Sequence, residues 1–196
     1  MSLKIVHYPH PALRHPAKPL TSIDEKVRTQ ARQMLDLMYE AKGLGLASNQ
    51  VALTYQMIVI NPKPDDPERR QELVLVNPVL VDHKGTMEGE EGCLSFPELF
   101  TKVRRFKNIK VQAYNLQCEL IDIEPKVDLL SRLLQHEIDH LNGILFIDKM
   151  GPIARLASRG ALKEFERIYR KAQERGEIPS DKEIAKKLAS GEAVLA

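Results

Sequence analysis

The sequence predicts an α+β fold: antiparallel β-sheets packed around a buried central helix, with a further helix on the outside. Two observations lead to this prediction. Three β-branched segments follow one another in the middle of the chain with no helical pattern between them, which favours antiparallel pairing over βαβ units. Helical periodicity then runs from about residue 127 to 142 and is apolar almost all round, a pattern typical of an interior helix.

Size and composition limit the classes of protein to consider. The 196 residues suffice for one well-buried core and are too few for two large domains. A net charge of +2 gives no support for DNA as the main partner. The apolar runs are far shorter than a membrane span, and prolines interrupt the N-terminal segment before a signal-peptide core could form. We therefore expect a soluble, cytoplasmic protein with no membrane partner.

The first helix follows an extended N-terminal segment. Four prolines exclude a regular helix from the first twenty residues. Ser22 and Glu25 have the spacing of a capping box, and Gly43 is the predicted stop signal. The predicted inward face of this helix consists of Val27, Ala31, Leu35 and Met38.

The predicted strands are QMIVIN (56–61), ELVLVNPVLV (72–81) and IKVQAYN (109–115). A hairpin is predicted to turn at Asn115 to Gln117. The interior helix follows, with Gly143 at its C-terminal end.

The C-terminal part of the chain is charged. Residues 161–176 have the pattern of an outer amphipathic helix, and we expect the last twenty residues to fray. We divide the chain into a catalytic domain at 1–150 and a helical extension of the same domain at 151–196. The predicted inward face of the outer helix consists of Leu162, Phe165, Tyr169 and Ala172.

The interior helix contains two histidines and a glutamate in the pattern His-Glu-x-x-His. Because residues four apart share a helix face, His136 and His140 can bind one metal ion. Glu137 is then placed to act as a general base without being a ligand. Burying these groups without a partner would cost several kcal/mol, which favours a metal site over two partly exposed histidines.

Several residues are candidates for the third ligand. A common metalloprotease pattern would place it at position 146, but Phe146 has no ligating atom. Cys93, between Gly92 and Leu94, offers a thiolate, which binds zinc or ferrous iron strongly and would leave one coordination position open. Cys118 is predicted to be a small buried residue instead. Glu164 or Glu166 would serve if the protein were a zinc endopeptidase.

Three segments closely resemble the signature motifs of the bacterial-type peptide deformylases, in the same order. These segments are GLGLASNQ (43–50), EGCLS (91–95) and QHEIDHLNG (135–143). The resemblance implies a metal-dependent hydrolase that removes the N-formyl group from N-formyl-methionyl nascent polypeptides and releases formate. It implies one divalent metal ion on Cys93, His136 and His140, with Fe²⁺ as the native ion and Zn²⁺, Ni²⁺ or Co²⁺ as alternatives.

The same resemblance implies roles for residues around the metal. Glu137 would be the general acid and base. The side chain of Gln50 and the backbone N–H of Leu94 would bind the formyl oxygen, where hydrogen-bond donors stabilise a developing negative charge.

The substrate peptide would contact two further parts of the chain. Gly43, Leu44 and Gly45 would bind its backbone in the manner of a β-strand. Leu129 and Leu133 share the stripe of the histidines and would either line the pocket for the methionine side chain or belong to the core.

Other residues around the motifs have open roles. Ser48 and Asn49 stand where the family commonly has alanine and proline, so we expect a change in the shape of this loop. Glu91, Asp139 or a backbone carbonyl would accept a hydrogen bond from a ligating histidine. Arg132, one turn before His136, is predicted to be a surface arginine; the alternative is that it reaches the site entrance, where it would favour a particular peptide or bind a carboxylate.

The segment after residue 153 is basic and would either form a solvated helix face or dock onto ribosomal RNA, as the C-terminal helix does in some family members. A non-catalytic ribosome-associated protein is therefore the alternative to an enzyme.

Overall fold

The computed structural model describes residues 3–68 and 71–191 and has the predicted α+β class. Within these residues there are four α-helices and five β-strands. The helices are α1 (Glu25–Glu40), α2 (Asp128–Leu141), α3 (Pro152–Glu174) and α4 (Asp181–Ser190). The strands are β1 (Gly45–Ala47), β2 (Met57–Ile60), β3 (Leu73–Cys93), β4 (Phe96–Tyr114) and β5 (Leu120–Ile123). Three short 3₁₀ helices span Pro11–Arg14, Ser48–Val51 and Phe146–Lys149.

The five strands form one antiparallel sheet in the order β1-β2-β3-β4-β5. Strands β3 and β4 form a hairpin that is much longer than the segments predicted as strands. Its outer part is polar, and its mostly exposed side chains include Glu88 opposite Arg104 and Glu90 opposite Lys102. Opposite charges on facing residues stabilise such a ladder, so the polar sequence hid the strand. The three-residue strand β1 was also missed.

Helix α1 is capped differently from the prediction. Asp24, not Ser22, precedes the helix, and its carboxylate accepts a hydrogen bond from the Val27 N–H at 2.9 Å. The left-handed residue after the helix is Lys42, with φ of 55°, rather than Gly43. The predicted inward face is confirmed, because all four of its residues are buried, together with Met34.

Helix α2 lies within the predicted bounds. Gly143 follows its end with φ of 71°, and a Cβ at this position would lie 2.6 Å from the Arg14 carbonyl oxygen. Both facts require glycine there. On its sheet-facing side, Leu134 and Leu141 pack against Ile58 and Leu75 in one apolar cluster.

The C-terminal region contains two helices where one was predicted. Helix α3 begins at Pro152, well before residue 161. Of its predicted inward face, Tyr169 and Ala172 are buried, and the other two residues are partly buried.

Helix α4 overturns the expectation of a frayed end over residues 181–190. Ser180 and Glu183 form its capping box. Ile184 and Leu188 are almost fully buried against Leu13 and Phe146. The sequence signal is weak because these two apolar residues are the only ones of the helix that reach the core. Residues 192–196 lie outside the described part of the chain.

The prediction that Cys118 is a small buried residue is wrong. Its side chain is exposed and its φ is 64°, because it lies in the turn from Asn115 to Glu119 that joins β4 and β5. The hairpin itself was predicted correctly. None of the helices in the described residues is both long and apolar enough to span a membrane.

The N-terminal segment passes between the C-terminal helices and the rest of the molecule. The N–H of Val6 donates to the Gln50 carbonyl at 2.8 Å. His10 is 2% exposed, accepts a hydrogen bond from the Ala12 N–H at 3.2 Å and lies edge-on to the ring of Tyr169. Burial lowers the pKa of His10 to about 4, and the charge of Asp181 only partly opposes this effect.

The low pKa of His10 predicts acid sensitivity. Between pH 6.5 and about 4 the unfolded chain binds a proton at this residue and the folded protein does not, so the free energy of unfolding falls as the pH falls. From pH 7 to 4.5 we expect wild type to lose roughly 2–3 kcal/mol more than His10→Asn. Urea unfolding of both metal-free proteins at the two pH values measures this difference. Equal losses would contradict the prediction.

Candidate metal centre

Three side chains from two elements form the candidate metal centre. Cys93 is the last residue of β3, and His136 and His140 lie one turn apart on α2. Their ligating atoms all lie within 4.8 Å of one another. In residues 3–68 and 71–191 no other group of three histidine, cysteine, aspartate or glutamate side chains has this geometry. Both histidines are buried and Cys93 is half-buried.

The tight turn between β3 and β4 places Cys93. Cys93 pairs with Phe96 at the end of the hairpin, so that only Leu94 and Ser95 make the turn. The sulfur lies 3.2 Å from the Nε2 atom of His140. The long hairpin therefore brings the thiol to α2, although Cys93 precedes His136 by 43 positions in the sequence.

Glu91 holds the first histidine. Its Oε2 atom accepts a hydrogen bond from Nδ1 of His136 at 2.9 Å, which leaves Nε2 of this histidine for a metal. Arg105 of β4 donates to both oxygens of Glu91, each at 2.8 Å. Burial alone would raise the pKa of Glu91, but the hydrogen bonds from Arg105 and His136 outweigh it and hold the pKa well below its usual value. Of the acceptors proposed for His136, the structure shows Glu91.

Asp139 has a different partner. It accepts a hydrogen bond from Nη1 of Arg105, and the ammonium group of Lys149 lies 3.1 Å away.

Arg132 is buried and not at the surface as predicted. Its Nη1 atom donates to Oε1 of Glu91 at 2.7 Å and to the carbonyl of Val103 at 3.0 Å. Its side chain lies on the face of α2 that packs on the hairpin. No local sequence pattern reveals this contact, because both partners come from distant strands.

Glu137 has an environment opposite to that of Glu91. It is 3% exposed, and its Oε2 atom has no hydrogen-bond partner among the described residues. Burial raises the pKa of Glu137 to about 7, and the neighbouring His136 only partly opposes this effect. A Cβ at position 45 would lie 2.5 Å from Oε1 of Glu137, so Gly45 makes room for this carboxyl group. A group with this pKa can both take and give a proton near neutral pH.

Gln50 lies on the other side of the thiol. Its Oε1 accepts from the Ala47 N–H at 2.8 Å, which directs Nε2 towards Ser95 (3.1 Å to Oγ) and Cys93 (3.4 Å to Sγ). The residues that depart from the family motif are both buried. The hydroxyl of Ser48 donates to the Tyr55 carbonyl and the amide of Asn49 donates to the His140 carbonyl, so these side chains tie the loop to its neighbours.

A cleft of about 580 Å³ opens beside these residues. Of the residues predicted to contact substrate or metal, all but His140 line it: Gly43, Leu44, Gly45, Gln50, Cys93, Leu94, Leu129, Leu133, His136 and Glu137. The prediction missed further lining residues, among them Phe100 and His7, and Arg132 lines the cleft as in the less favoured of its two predicted places. No motif marks Phe100 or His7, which reach the cleft only through the hairpin and the N-terminal segment.

One wall of the cleft is the edge of β1 at Gly45, a strand whose residues are buried. In the described residues β1 pairs only with β2, and the Ala47 N–H donates to Oε1 of Gln50. At Gly45 the other edge of β1 has no partner strand among these residues and can pair with an extended peptide. A Cβ at Gly43 would lie 2.6 Å from the side chain of Leu94. Gly43 and Gly45 therefore let the backbone approach both Leu94 and Glu137.

The residues fit a catalytic metal better than a structural one. A thiolate and two imidazoles supply three soft or borderline ligands and leave a position open. The rival ligands are elsewhere: Glu164 pairs with Arg167, and Glu166 accepts a hydrogen bond from Tyr8, both on the exposed side of α3. The site combines three candidate ligands with a buried carboxyl group whose Oε2 has no partner among the described residues, and a strand edge borders the cleft. This combination is typical of a metal-dependent hydrolase that acts on peptides.

Comparisons with known proteins give the family. The polypeptide deformylase model matches residues 2–156. A peptide deformylase of Rhodopirellula baltica is 40% identical and the match covers 99% of this chain and 96% of that protein. Among solved structures, the Plasmodium falciparum peptide deformylase superposes with a TM-score of 0.82 at 37% identity, covering 86% of this chain and 98% of that chain. The peptide deformylase of Thermotoga maritima superposes with a TM-score of 0.71 at 35% identity, and the match covers 78% of this chain and 99% of that chain.

The chain belongs to the polypeptide deformylase family. It is a metal-dependent hydrolase that removes the N-formyl group from the formyl-methionine of newly synthesised polypeptides. The endopeptidase and the non-catalytic alternatives are not favoured.

The two cysteines provide a matched test of the metal ligands. Cys93→Ala removes a candidate ligand, whereas Cys118→Ala removes an exposed thiol from a turn. We expect Cys93→Ala to weaken Co²⁺ binding at least about tenfold and to abolish thiolate-to-cobalt absorption, because the thiolate is a strong ligand. Cys118→Ala should titrate like wild type. Unchanged cobalt spectra in Cys93→Ala would show that the third ligand lies elsewhere.

Proposed function

We propose that Cys93, His136 and His140 hold one divalent metal ion and that Glu137, Gln50 and Leu94 act on the formyl group. The observation that supports this assignment is the convergence of the three ligating atoms within 4.8 Å, next to the unpartnered Oε2 of Glu137. When bound, the ion polarises the formyl carbonyl and makes water more acidic. We propose Fe²⁺ as the native ion. The same ligand set also suits Zn²⁺, Ni²⁺ and Co²⁺.

Glu137 moves the proton in the proposed reaction. It takes a proton from the attacking water, whose oxygen forms a bond to the formyl carbon. It then gives this proton to the methionine nitrogen as the carbon–nitrogen bond breaks, which yields formate and a free amino terminus. A pKa of about 7 suits both transfers.

Gln50 and Leu94 stabilise the charge that develops on the formyl oxygen. The amide of Gln50 is held by its hydrogen bond from Ala47 and points its N–H groups towards Cys93. Leu94 follows Cys93 in the two-residue turn, so its backbone N–H lies close to the ligand. Donors fixed in place before the reaction cost no reorganisation when the charge appears.

The cleft selects the substrate by backbone and side chain. We propose that residues 43–45 bind the peptide backbone along the free edge of β1. Leu129 and Leu133 contact the methionine side chain. Leu129 is 43% exposed and Leu133 is partly buried, and both line the cleft, which suits a pocket better than a closed core.

The general base is tested by a pair of glutamate variants. Glu137→Gln keeps the size of the side chain but cannot take a proton. We expect the rate of formate release from formyl-Met-Ala-Ser to fall roughly 100- to 10,000-fold, as for loss of a general acid–base group. Glu164→Gln changes an exposed carboxylate and should leave the rate unchanged. A metal-loaded Glu137→Gln protein with wild-type activity would contradict the role of Glu137.

A second proposal concerns the ribosome. The exposed side of α3 is basic and would contact phosphates of ribosomal RNA near the site where nascent chains emerge. The exposed basic residues of this helix are Arg155, Arg159, Lys163, Arg167, Arg170 and Lys171.

Charge reversal tests this docking. For Arg159→Glu with Lys163→Glu, we expect ribosome affinity to fall and the slope of log K against log salt to decrease by roughly one for each lost phosphate contact. The control, Lys182→Glu with Lys186→Glu, reverses two exposed charges on α4. Co-sedimentation with ribosomes over a salt series measures both. Equal effects of the two pairs would contradict a specific role for α3.

A further inference from the structure

Arg132 lines the cleft together with Glu91, the residue that holds a proposed metal ligand. It lines the cleft beside Leu129 and Leu133, yet its guanidinium group is directed at Glu91. It is 9% exposed. Nothing in the proposed reaction uses this side chain, so its buried charge needs another explanation.

The Glu91 carboxylate uses all of its acceptor positions. Oε1 accepts from Nε of Arg105 at 2.8 Å and from Nη1 of Arg132 at 2.7 Å. Oε2 accepts from Nη2 of Arg105 at 2.8 Å and from Nδ1 of His136 at 2.9 Å. A carboxylate has about four lone-pair positions. Its orientation is therefore set by three partners together. Loss of Arg132 would leave Oε1 with one donor instead of two, while the bidentate pair with Arg105 and the bond from His136 remain.

The two arginines hold Glu91 on opposite sides of His136. Arg105 belongs to β4 and reaches α2 through Asp139, which follows His136 on the helix. Arg132 precedes His136 by one turn on the same helix and also donates to the Val103 carbonyl of β4 at 3.0 Å. Without Arg132, Glu91 is held to α2 by His136 directly and by Arg105 through Asp139, and it loses the direct link to the turn of α2 before His136.

Gly89 gives the guanidinium group its space. It lies on β3 opposite Val103, two residues before Glu91. A Cβ at this position would lie 2.6 Å from Nη2 and 2.9 Å from Cζ of Arg132. Because these are the far end of a flexible side chain, alanine at position 89 would displace the guanidinium group and leave Arg132 itself unchanged.

We infer that Arg132 is a positioning residue: it fixes the Glu91 carboxylate, which orients the imidazole of His136, and thereby slows loss of the metal ion. The inference rests on the proposed metal site and assigns Arg132 no contact with the ion or the reacting atoms. A purely structural ion pair would change only the free energy of unfolding. A positioning residue also changes metal retention in the folded protein.

The test measures the transfer of Zn²⁺ from the folded, loaded protein to an excess of chelator. We expect Arg132→Met to lose zinc about tenfold faster than wild type, the lower end of the effect of removing an outer partner of a ligating histidine. Arg132→Lys should recover part of the difference, because lysine keeps the cation but not the planar fork. Arg14→Met is the matched control, since it breaks an ion pair with Asp148 that does not touch Glu91.

A glycine variant makes the test independent of changing the arginine. Gly89→Ala should also speed zinc loss. In the Arg132→Met background, Gly89→Ala should increase the rate of zinc loss only slightly further, because both changes act through the same contact. If Arg132→Met does not fold, the rates of zinc loss from Gly89→Ala and Arg132→Lys test the inference instead.

Two results have different meanings. Wild-type protein that takes up no zinc would overturn the proposed metal site. If wild type retains zinc but Arg132→Met and Gly89→Ala lose it no faster than wild type or Arg14→Met, the metal site stands and the role of Arg132 is overturned.

Discussion

The hydrogen bonds to the buried carboxylate of Glu91 are the interaction on which the site depends. They join β3, β4 and α2 at one point, 5% exposed, and one of them fixes a ring nitrogen of His136. A buried charge is tolerated only when its partners offset the loss of water. Two arginines supply that compensation. The hairpin and the helix are consequently held in the one arrangement that brings Cys93 to the two histidines.

The site contains two buried carboxyl groups with opposite environments. Glu91 is surrounded by donors and its pKa is lowered, whereas Glu137 lacks a partner at Oε2 among the described residues and its pKa is raised to about 7. The first can serve only as a permanent anion. The second can exchange a proton near neutral pH. Such a separation of pKa values by environment is how neighbouring carboxyl groups take different roles.

The sequence predicts those parts of the candidate site that depend on local patterns. His136 and His140 have the spacing of one helix face, and the segment around Cys93 resembles a family motif. These two observations predicted that the three residues lie together. Phe100 and the outer part of the β3–β4 hairpin were missed, and the surface was wrongly preferred for Arg132, because these positions depend on pairing between distant polar segments. Helix α4 was missed since only two of its apolar side chains reach the core. The division near residue 150 stays a prediction.

The C-terminal helices also reach the site through packing. The ring centroids of Phe146 and His136 lie 6.0 Å apart. Phe146 also packs edge-on against Phe96, which ends the turn that follows Cys93. Ile184 and Leu188 of α4 pack into the same apolar cluster. Because side chains in a close-packed core transmit displacements, a shift of α4 reaches the His136 ring through Phe146. The imidazole therefore has two neighbours of different kinds, the polar network around Glu91 and the apolar cluster that contains Phe146.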